Sequence, residues 1–301
     1  MGTWYRFVSL VFALSLPAAA VAETGMPAWL IRLPESVPSA FVAETAESTF
    51  HRYERVDGNI ELAASFYMSV GKKGWGKERV GDQRTPIGTY IVTEQLDTER
   101  LHEKYGITAY VLDYPNAWDR RLLRTGDGIW VHGVDRRGGR RPPLDTDGCI
   151  ALPNEDLEKL AGQFEDGVTP VIIAERIDRV SQADLDALGD ELAAAIATWA
   201  QSIADGDMHT YLSYYHEDFE RWGMGRDEWA SFRLQTLGTT PIEDVAVRDL
   251  LLLGYPGETD LYLSRFQKVV TEDEAVKETV QRIYWRRDAH GALKIVAEDN
   301  G

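Results

Sequence analysis

The 301-residue chain has one cysteine, Cys149, few histidines, and no apolar run long enough to cross a bilayer. One cysteine excludes an internal disulfide and a cysteine-rich zinc site. His209, His216, Glu217 and Asp218 lie close in sequence but lack the His-Glu-x-x-His spacing, so neither a metal nor any cofactor is expected. The longest apolar stretch, Phe7 to Ala19, covers 13 residues, whereas a helical span needs about twenty. Positive charge is also short, with 32 Lys and Arg against 49 Asp and Glu for a net −17. From Leu185 onward 22 acids face 11 bases. Such a balance repels nucleic acid and anionic lipid, and neither is expected as a partner.

What is present begins with a leader. Arg6, the apolar run and Ala20-Val21-Ala22 together read as a secretory signal over residues 1–22, which places the mature protein in the periplasm or outside the cell. A lone thiol is a liability in an oxidising compartment unless it is used.

The use suggested lies between Gly128 and Leu160. His132 ends a strand-like run, Ile129-Trp130-Val131, and Cys149 follows sixteen intervening residues later. A thiolate is the attacking species and an unassisted thiol is mostly protonated at neutral pH, so a nearby imidazole raises the reactive fraction. His132 is the expected base and Cys149 the nucleophile. The amides of Gly148 and Cys149 are the expected donors to an acyl oxyanion. The alternative is a small buried thiol and a histidine that only satisfies a strand end.

His132-Gly133, a spacer, then Thr146-Asp147-Gly148-Cys149 resembles the YkuD-type L,D-transpeptidase signature. Upstream, Gly81-Asp82-Gln83-Arg84-Thr85-Pro86-Ile87-Gly88 resembles that family's second block, in the right order. The resemblance implies a β-rich domain attacking the L-to-D bond of peptidoglycan stem peptides, with the Gly133 carbonyl orienting the imidazole. Asp147 and Ala151 stand where many transpeptidases have His and Arg. With the further domain that follows, they resemble instead the Csd6/Pgp2 branch, which implies an L,D-carboxypeptidase that trims tetrapeptides with water as acceptor. Transpeptidase or endopeptidase action by the same site is one alternative, and a non-catalytic wall-binding scaffold another. Arg84, Arg141, Thr146 and Asp147 are the expected substrate contacts. Arginine forks suit carboxylates, and Arg120, Arg121, Arg124, Arg136, Arg137 and Arg140 are further candidates near His132.

The fold expected is α+β, a β-rich YkuD-like catalytic domain followed by an NTF2-like cone. Residues 23–50, broken by Pro27, Pro34 and Pro38, read as an arm packing on the body or on a second subunit of a homodimer, or as a solvated leader. Residues 51–176 form the catalytic domain. A hairpin turns at Asp57-Gly58-Asn59, its second arm apolar at alternate positions and so with one face in a core. Glu94 to Tyr105 is polar and reads as helix or loop, and Asn154 as a helix N-cap. Residues 185–301 form the second domain. Leu185, Leu188, Leu192, Ala195, Ile196 and Trp199 recur at helical spacing, predicting a helix over 182–204, and four strand-like runs follow. Trp199, Tyr211, Tyr215 and Phe219 resemble the opening of NTF2-like cones, whose lined pocket suits a glycan or peptide.

Overall fold

The computed structural model describes residues 25–97, 99, 101–237, 242–273 and 275–301; the leader assigned to residues 1–22 lies outside them. Eight strands build the first sheet: β1 Ser39–Glu44, β2 Thr49–Val56, β3 Asn59–Tyr67, β4 Gly88–Leu96, β5 Ala109–Leu112, β6 Trp130–His132, β7 Ile150–Ala151 and β8 Pro170–Ala174. Their spatial order is β7-β6-β5-β4-β8-β1-β2-β3. β8 is buried along its whole length, as its unbroken apolar sequence requires of a strand covered on both faces. It runs parallel to β1 and antiparallel to β4. Two short helices, α1 Ala117–Arg121 and α2 Asn154–Lys159, sit in the connections.

The β2–β3 hairpin turns where the sequence indicates. Val56 pairs with Asn59, and Asp57 and Gly58 both take positive φ, the backbone that matches the twist of a two-residue hairpin. Its second arm differs from expectation. β3 is the sheet's edge, partly exposed along its length, with Leu62 at 52% exposure. The polar stretch from Glu94 to Tyr105 starts as strand, since β4 continues to Leu96 by pairing Gln95 with Tyr110 and Leu96 with Ala109, and ends as a single 3-10 turn over Glu103–Tyr105. A neighbouring strand overrides the weak local preference there.

Ser39–Glu44, read from sequence as part of an arm, is instead an interior strand of this sheet. The other half of that segment goes elsewhere, because Leu30–Arg32 pairs antiparallel with the second domain's sheet. The prolines did break the segment, but into three strands, Met26–Pro27, Leu30–Arg32 and Ser39–Glu44, each in a different sheet.

In the second domain, α3 Gln182–Ala204 begins at Ser181, whose side chain accepts from the Asp184 amide. It buries Leu185, Leu192, Ile196, Trp199 and Ile203. After it come α4 Met208–Ser213, β9 Tyr215–Arg221, α5 Arg226–Leu237, β10 Ile242–Gly254, β11 Leu261–Glu272, β12 Ala275–Arg287 and β13 Leu293–Asp299. The strands order as β9-β13-β12-β11-β10, with Leu30–Arg32 beyond β10. Trp199 shares one core with Phe266, Ile283 and Trp285, so the curled sheet wraps the helix.

A single apolar cluster joins the two domains, holding Val42, Ile91, Trp118 and Ile172 of the first and Leu251, Tyr255, Leu263 and Tyr284 of the second. Polar bonds cross the same boundary. Thr89 Oγ1 donates to the Gly254 carbonyl at 2.7 Å, Asn116 Nδ2 to the Tyr255 hydroxyl at 3.1 Å, and Trp118 Nε1 to Glu258 at 3.1 Å. Arg282 of β12 is buried between Asp299 and, at 2.6 Å, Asp113 at the end of β5. Burial pushes the Asp113 carboxyl up to about 6 although Arg282 pulls it down.

Removing one partner of a buried ion pair leaves the other desolvated and unpaired, at a cost of about 3–5 kcal/mol. Arg282→Ala is therefore expected to lower unfolding stability by about that amount, measured by urea denaturation at pH 7.5. A loss under about 1 kcal/mol would mean that the apolar cluster alone holds the domains together.

Candidate active site

The site is assembled from two short parallel strands and the loops that flank them. β7 pairs with β6 so that Ile150 stands opposite Val131 and Ala151 opposite His132. Cys149, just ahead of β7, is thereby carried to the same end of the sheet as Trp130 and His132. Both Cys149 and His132 line one open cavity of about 740 Å³.

His132 is 3% exposed, and its Nδ1 lies 2.5 Å from the Gly133 carbonyl oxygen. A carbonyl can only accept, so the hydrogen resides on Nδ1 and the lone pair on Nε2. That is the tautomer a base needs. Gly133 is required by space, since a Cβ there would stand 2.1 Å from Asn154 Oδ1 and 3.1 Å from Gly106 Cα. Asn154 does not cap α2 as its position suggests; Pro153 occupies the cap position with no side-chain bond. Its amide instead clasps the backbone beyond the glycine, accepting from Val134 N at 3.1 Å and donating to Val134 O at 2.9 Å. The carbonyl that holds the imidazole is thus itself held.

The loop that carries Cys149 is fixed from both sides. Thr146 Oγ1 donates to the Cys149 carbonyl at 2.7 Å and accepts from the Gly148 amide at 3.1 Å. Thr85 Oγ1 donates to the Gly148 carbonyl at 2.9 Å and accepts from the Gly71 amide at 2.9 Å. The Thr-Pro block therefore acts by anchoring the Gly-Cys turn. Gly148 takes φ +134, and a Cβ would meet the Arg84 carbonyl at 2.9 Å. The Gly148 amide, expected from sequence to face an oxyanion, is committed to Thr146 and turned away from that role. The Cys149 amide donates to no partner among the described residues and remains the available donor.

The thiol of Cys149 donates to the Gly128 carbonyl at 3.3 Å and makes no hydrogen bond to His132 among the described residues. Burial pushes the thiol up to about 11 against the pull of the Trp130 amide. Burial likewise pushes His132 down to about 4; the Gly133 carbonyl opposes that shift, and the charges of Arg141 and Lys104 add to it. Both groups are neutral at rest. A thiolate forms only by proton transfer once something else in the cleft favours the charged pair.

Of the expected substrate contacts, Arg141, Thr146 and Asp147 line the cavity and Arg84 does not. The Arg84 guanidinium is spent on the Trp75 carbonyl at 2.8 Å. The arginine cluster likewise disperses. Arg120, Arg121 and Arg124 bind Pro115 O, Asp218 O and Asp119, Arg140 stacks on Tyr67, and Arg137 pairs with Glu103. Of the cavity's other cations, Lys72 and Lys77 come from the Gly-rich start of the 71–92 block, read from sequence as a loop entering the cleft, and Lys104 from a stretch that carries no signature. Tyr105, beside Lys104, sets its ring edge-on to His132 at 5.2 Å and 4.8 Å from Trp130. An aromatic closing a polar run was the only signal in that segment. Lys77 is buried on Asp82 at 2.8 Å; burial would raise Asp82, but Lys77 and the amides of Arg79, Glu78 and Arg84 hold it down at about 2. That pair braces the 77–84 loop over the cleft. No group of His, Asp, Glu and Cys suited to a metal occurs among the described residues.

Residues 42–173 match the family model of the L,D-transpeptidase catalytic domain, YkuD, and residues 191–299 that of the Cds6 C-terminal NTF2-like domain. Among solved structures, the helical cell shape determining protein Pgp2 of Campylobacter jejuni is 27% identical, over 90% of this chain and 96% of that one, with a TM-score of 0.76. Its K307A mutant aligns at 26% over 90% and 94%, TM-score 0.74. Bd1075 of Bdellovibrio bacteriovorus, at 24% identity over 92% and 98%, shares the fold with a TM-score of 0.76. Comparison with curated protein sequences gives no match.

The electrostatics of the resting pair predict how Cys149 meets a simple electrophile. Alkylation by iodoacetamide follows the thiolate fraction, so its rate should be low at pH 7.5, climb through pH 10 without levelling, and show no step near 6.5. An apparent pKa below 7 for alkylation would contradict a neutral resting pair.

Proposed function

We propose that this chain, an L,D-transpeptidase-family peptidoglycan enzyme by its YkuD catalytic domain and its Cds6-type NTF2-like domain, is an L,D-carboxypeptidase of stem tetrapeptides. The observation that carries the reading is the imidazole held by Gly133 O in its basic tautomer, on the wall of the same cleft as the thiol. In the proposed reaction His132 Nε2 takes the Cys149 proton as Sγ attacks the carbonyl carbon on the L side of the scissile bond. The oxyanion that develops faces the Cys149 amide. As the carbon–nitrogen bond breaks, the imidazolium returns its proton to the departing D-amino acid, leaving a thioester. Water then enters, loses a proton to His132 and attacks the thioester; the carbon–sulfur bond breaks and the sulfur is reprotonated. The products are a tripeptide and a free D-amino acid.

Hydrolysis rather than cross-linking is supported by the residues around the nucleophile. Asp147 is paired with Lys72 at 3.0 Å, and Ala151 is a buried strand residue that bonds Ser69. Neither position places an imidazole or a guanidinium beside the thiol. With the 1–22 segment as a secretion leader, the reaction belongs in the periplasm. The second domain holds a cavity of about 420 Å³ walled by Trp199, Tyr211 and Trp229, with Arg221, Arg233 and Lys268 around Glu298. Burial pushes the Lys268 ammonium down to about 8. Aromatic walls with surplus cations suit a peptide or glycan bearing carboxylates, and in this reading the cavity holds a remote part of the wall substrate.

Incubating a purified disaccharide tetrapeptide with the protein should release D-alanine and leave the tripeptide by mass spectrometry, and Cys149→Ala should reduce that release at least about a thousandfold with the fold intact. Dominant dimeric products, when an amine acceptor is supplied, would assign the protein to transpeptidation instead. Undiminished release by Cys149→Ala would remove the cysteine from the mechanism.

A further inference from the structure

Four cations line the catalytic cavity, and three of them are already neutralised. Lys72 meets Asp147 at 3.0 Å, Lys77 is buried on Asp82 at 2.8 Å, and Arg141 bonds the Asp145 carbonyl at 3.0 Å with that residue's carboxylate at 3.7 Å. Lys104 differs. Among the described residues it forms no ion pair, and its ammonium stands over the Tyr105 ring at 4.8 Å. Tyr105 is in turn packed edge-on against the base, His132. The His102–Lys104 turn is closed by the Lys104 amide donating to His102 Nδ1 at 3.2 Å, which sets the start of the side chain. The positive charge bears on Cys149, His132 and Asp147 alike. An unmatched ammonium on the wall of a reacting cleft asks for an anion from the substrate.

A stem tetrapeptide supplies one at that place. The residue that departs in a carboxypeptidase reaction carries its free carboxylate one residue beyond the attacked carbonyl, and one residue spans at most about 3.6 Å. We infer that Lys104 is the specificity-determining residue that reads this C-terminal carboxylate, confining cleavage to the free end of a stem. The inference rests on the carboxypeptidase reading above and adds the group that enforces it. In a stem that continues past the scissile bond, the carboxylate is replaced by a neutral amide. The ammonium then loses its partner while still being drawn out of water, and the longer chain is disfavoured without any steric block.

The test uses binding, so that turnover does not enter. Cys149→Ala protein is titrated calorimetrically with a disaccharide tetrapeptide and with the same compound carrying a C-terminal carboxamide, each with and without Lys104→Ala. The free acid should bind at least about tenfold more tightly than the amide when Lys104 is present, as a charge-assisted hydrogen bond implies. With Lys104→Ala the preference should fall to within about twofold, and Lys104→Arg should restore part of it. A preference that survives Lys104→Ala, or equal loss of both peptides, overturns the inference and leaves the carboxypeptidase reading standing. Binding of neither peptide to Cys149→Ala overturns both.

Discussion

The site depends on a single hydrogen bond, from the imidazole Nδ1 of His132 to the carbonyl of the next residue. A residue cannot ordinarily hold its own neighbour's side chain, because the backbone between them is free to turn. Here that freedom is removed from outside. Asn154 clasps both polar atoms of Val134, and the glycine is pressed so close to Asn154 and Gly106 that no side chain fits. The imidazole is oriented without a carboxylate, and so without a second charge to desolvate. An oriented but uncharged partner raises imidazole basicity less than an aspartate does, and burial accordingly dominates the histidine.

That choice shapes the thiol. With burial favouring the neutral imidazole and the neutral thiol, and the sulfur hydrogen-bonded to Gly128 O, the resting balance lies against the thiolate. Reactivity toward oxidants and chance electrophiles follows thiolate character, so keeping the lone cysteine protonated limits its oxidation. In the proposed reaction the thiolate is therefore not stored but formed as the sulfur attacks, its proton passing to His132 in the same step. The anchors that do not titrate, Thr85 and Thr146, keep the turn ready in both states.

How much of this is legible in the sequence divides along range of contact. The His-Gly and Thr-x-Gly-Cys motifs, the Asp57-Gly58 turn and the helix over 182–204 are set by residues near one another, and pattern reaches them. β9 and α5 escaped because their strongest apolar residues, Phe219 and Trp229, are too widely spaced to mark a period among charged neighbours. The segment from Leu30 to Glu44 looked like an arm because its prolines are read locally, whereas Leu30–Arg32 pairs only with a strand more than two hundred residues away, and Ser39–Glu44, a hairpin partner of Thr49–Val56, becomes interior only through Pro170–Ala174. Asn154 has the composition of a cap, and only the fold shows that it faces Val134. Lys104 lies in a polar stretch that any solvated loop resembles, so its place in the cleft is a consequence of topology alone, whereas the Gly-rich loop carrying Lys72 is legible as a cleft segment.

The overall charge raises a question that the local geometry answers. A chain of net −17 repels an anionic polymer at a distance, yet the proposed substrate is rich in carboxylates. In physiological salt the potential of exposed charges decays over about 8 Å, so the acids on the outer faces matter little once a stem has entered the cleft. Inside, water is partly excluded and a single unmatched ammonium at contact outweighs several remote carboxylates, because interaction strength grows as both distance and effective dielectric fall. The acidic exterior then works with the one cation of the cleft that has no ion pair among the described residues. It weakens non-specific adsorption along the wall while leaving attraction where a peptide end can reach Lys104, which favours release and re-binding at successive stems over prolonged attachment to one.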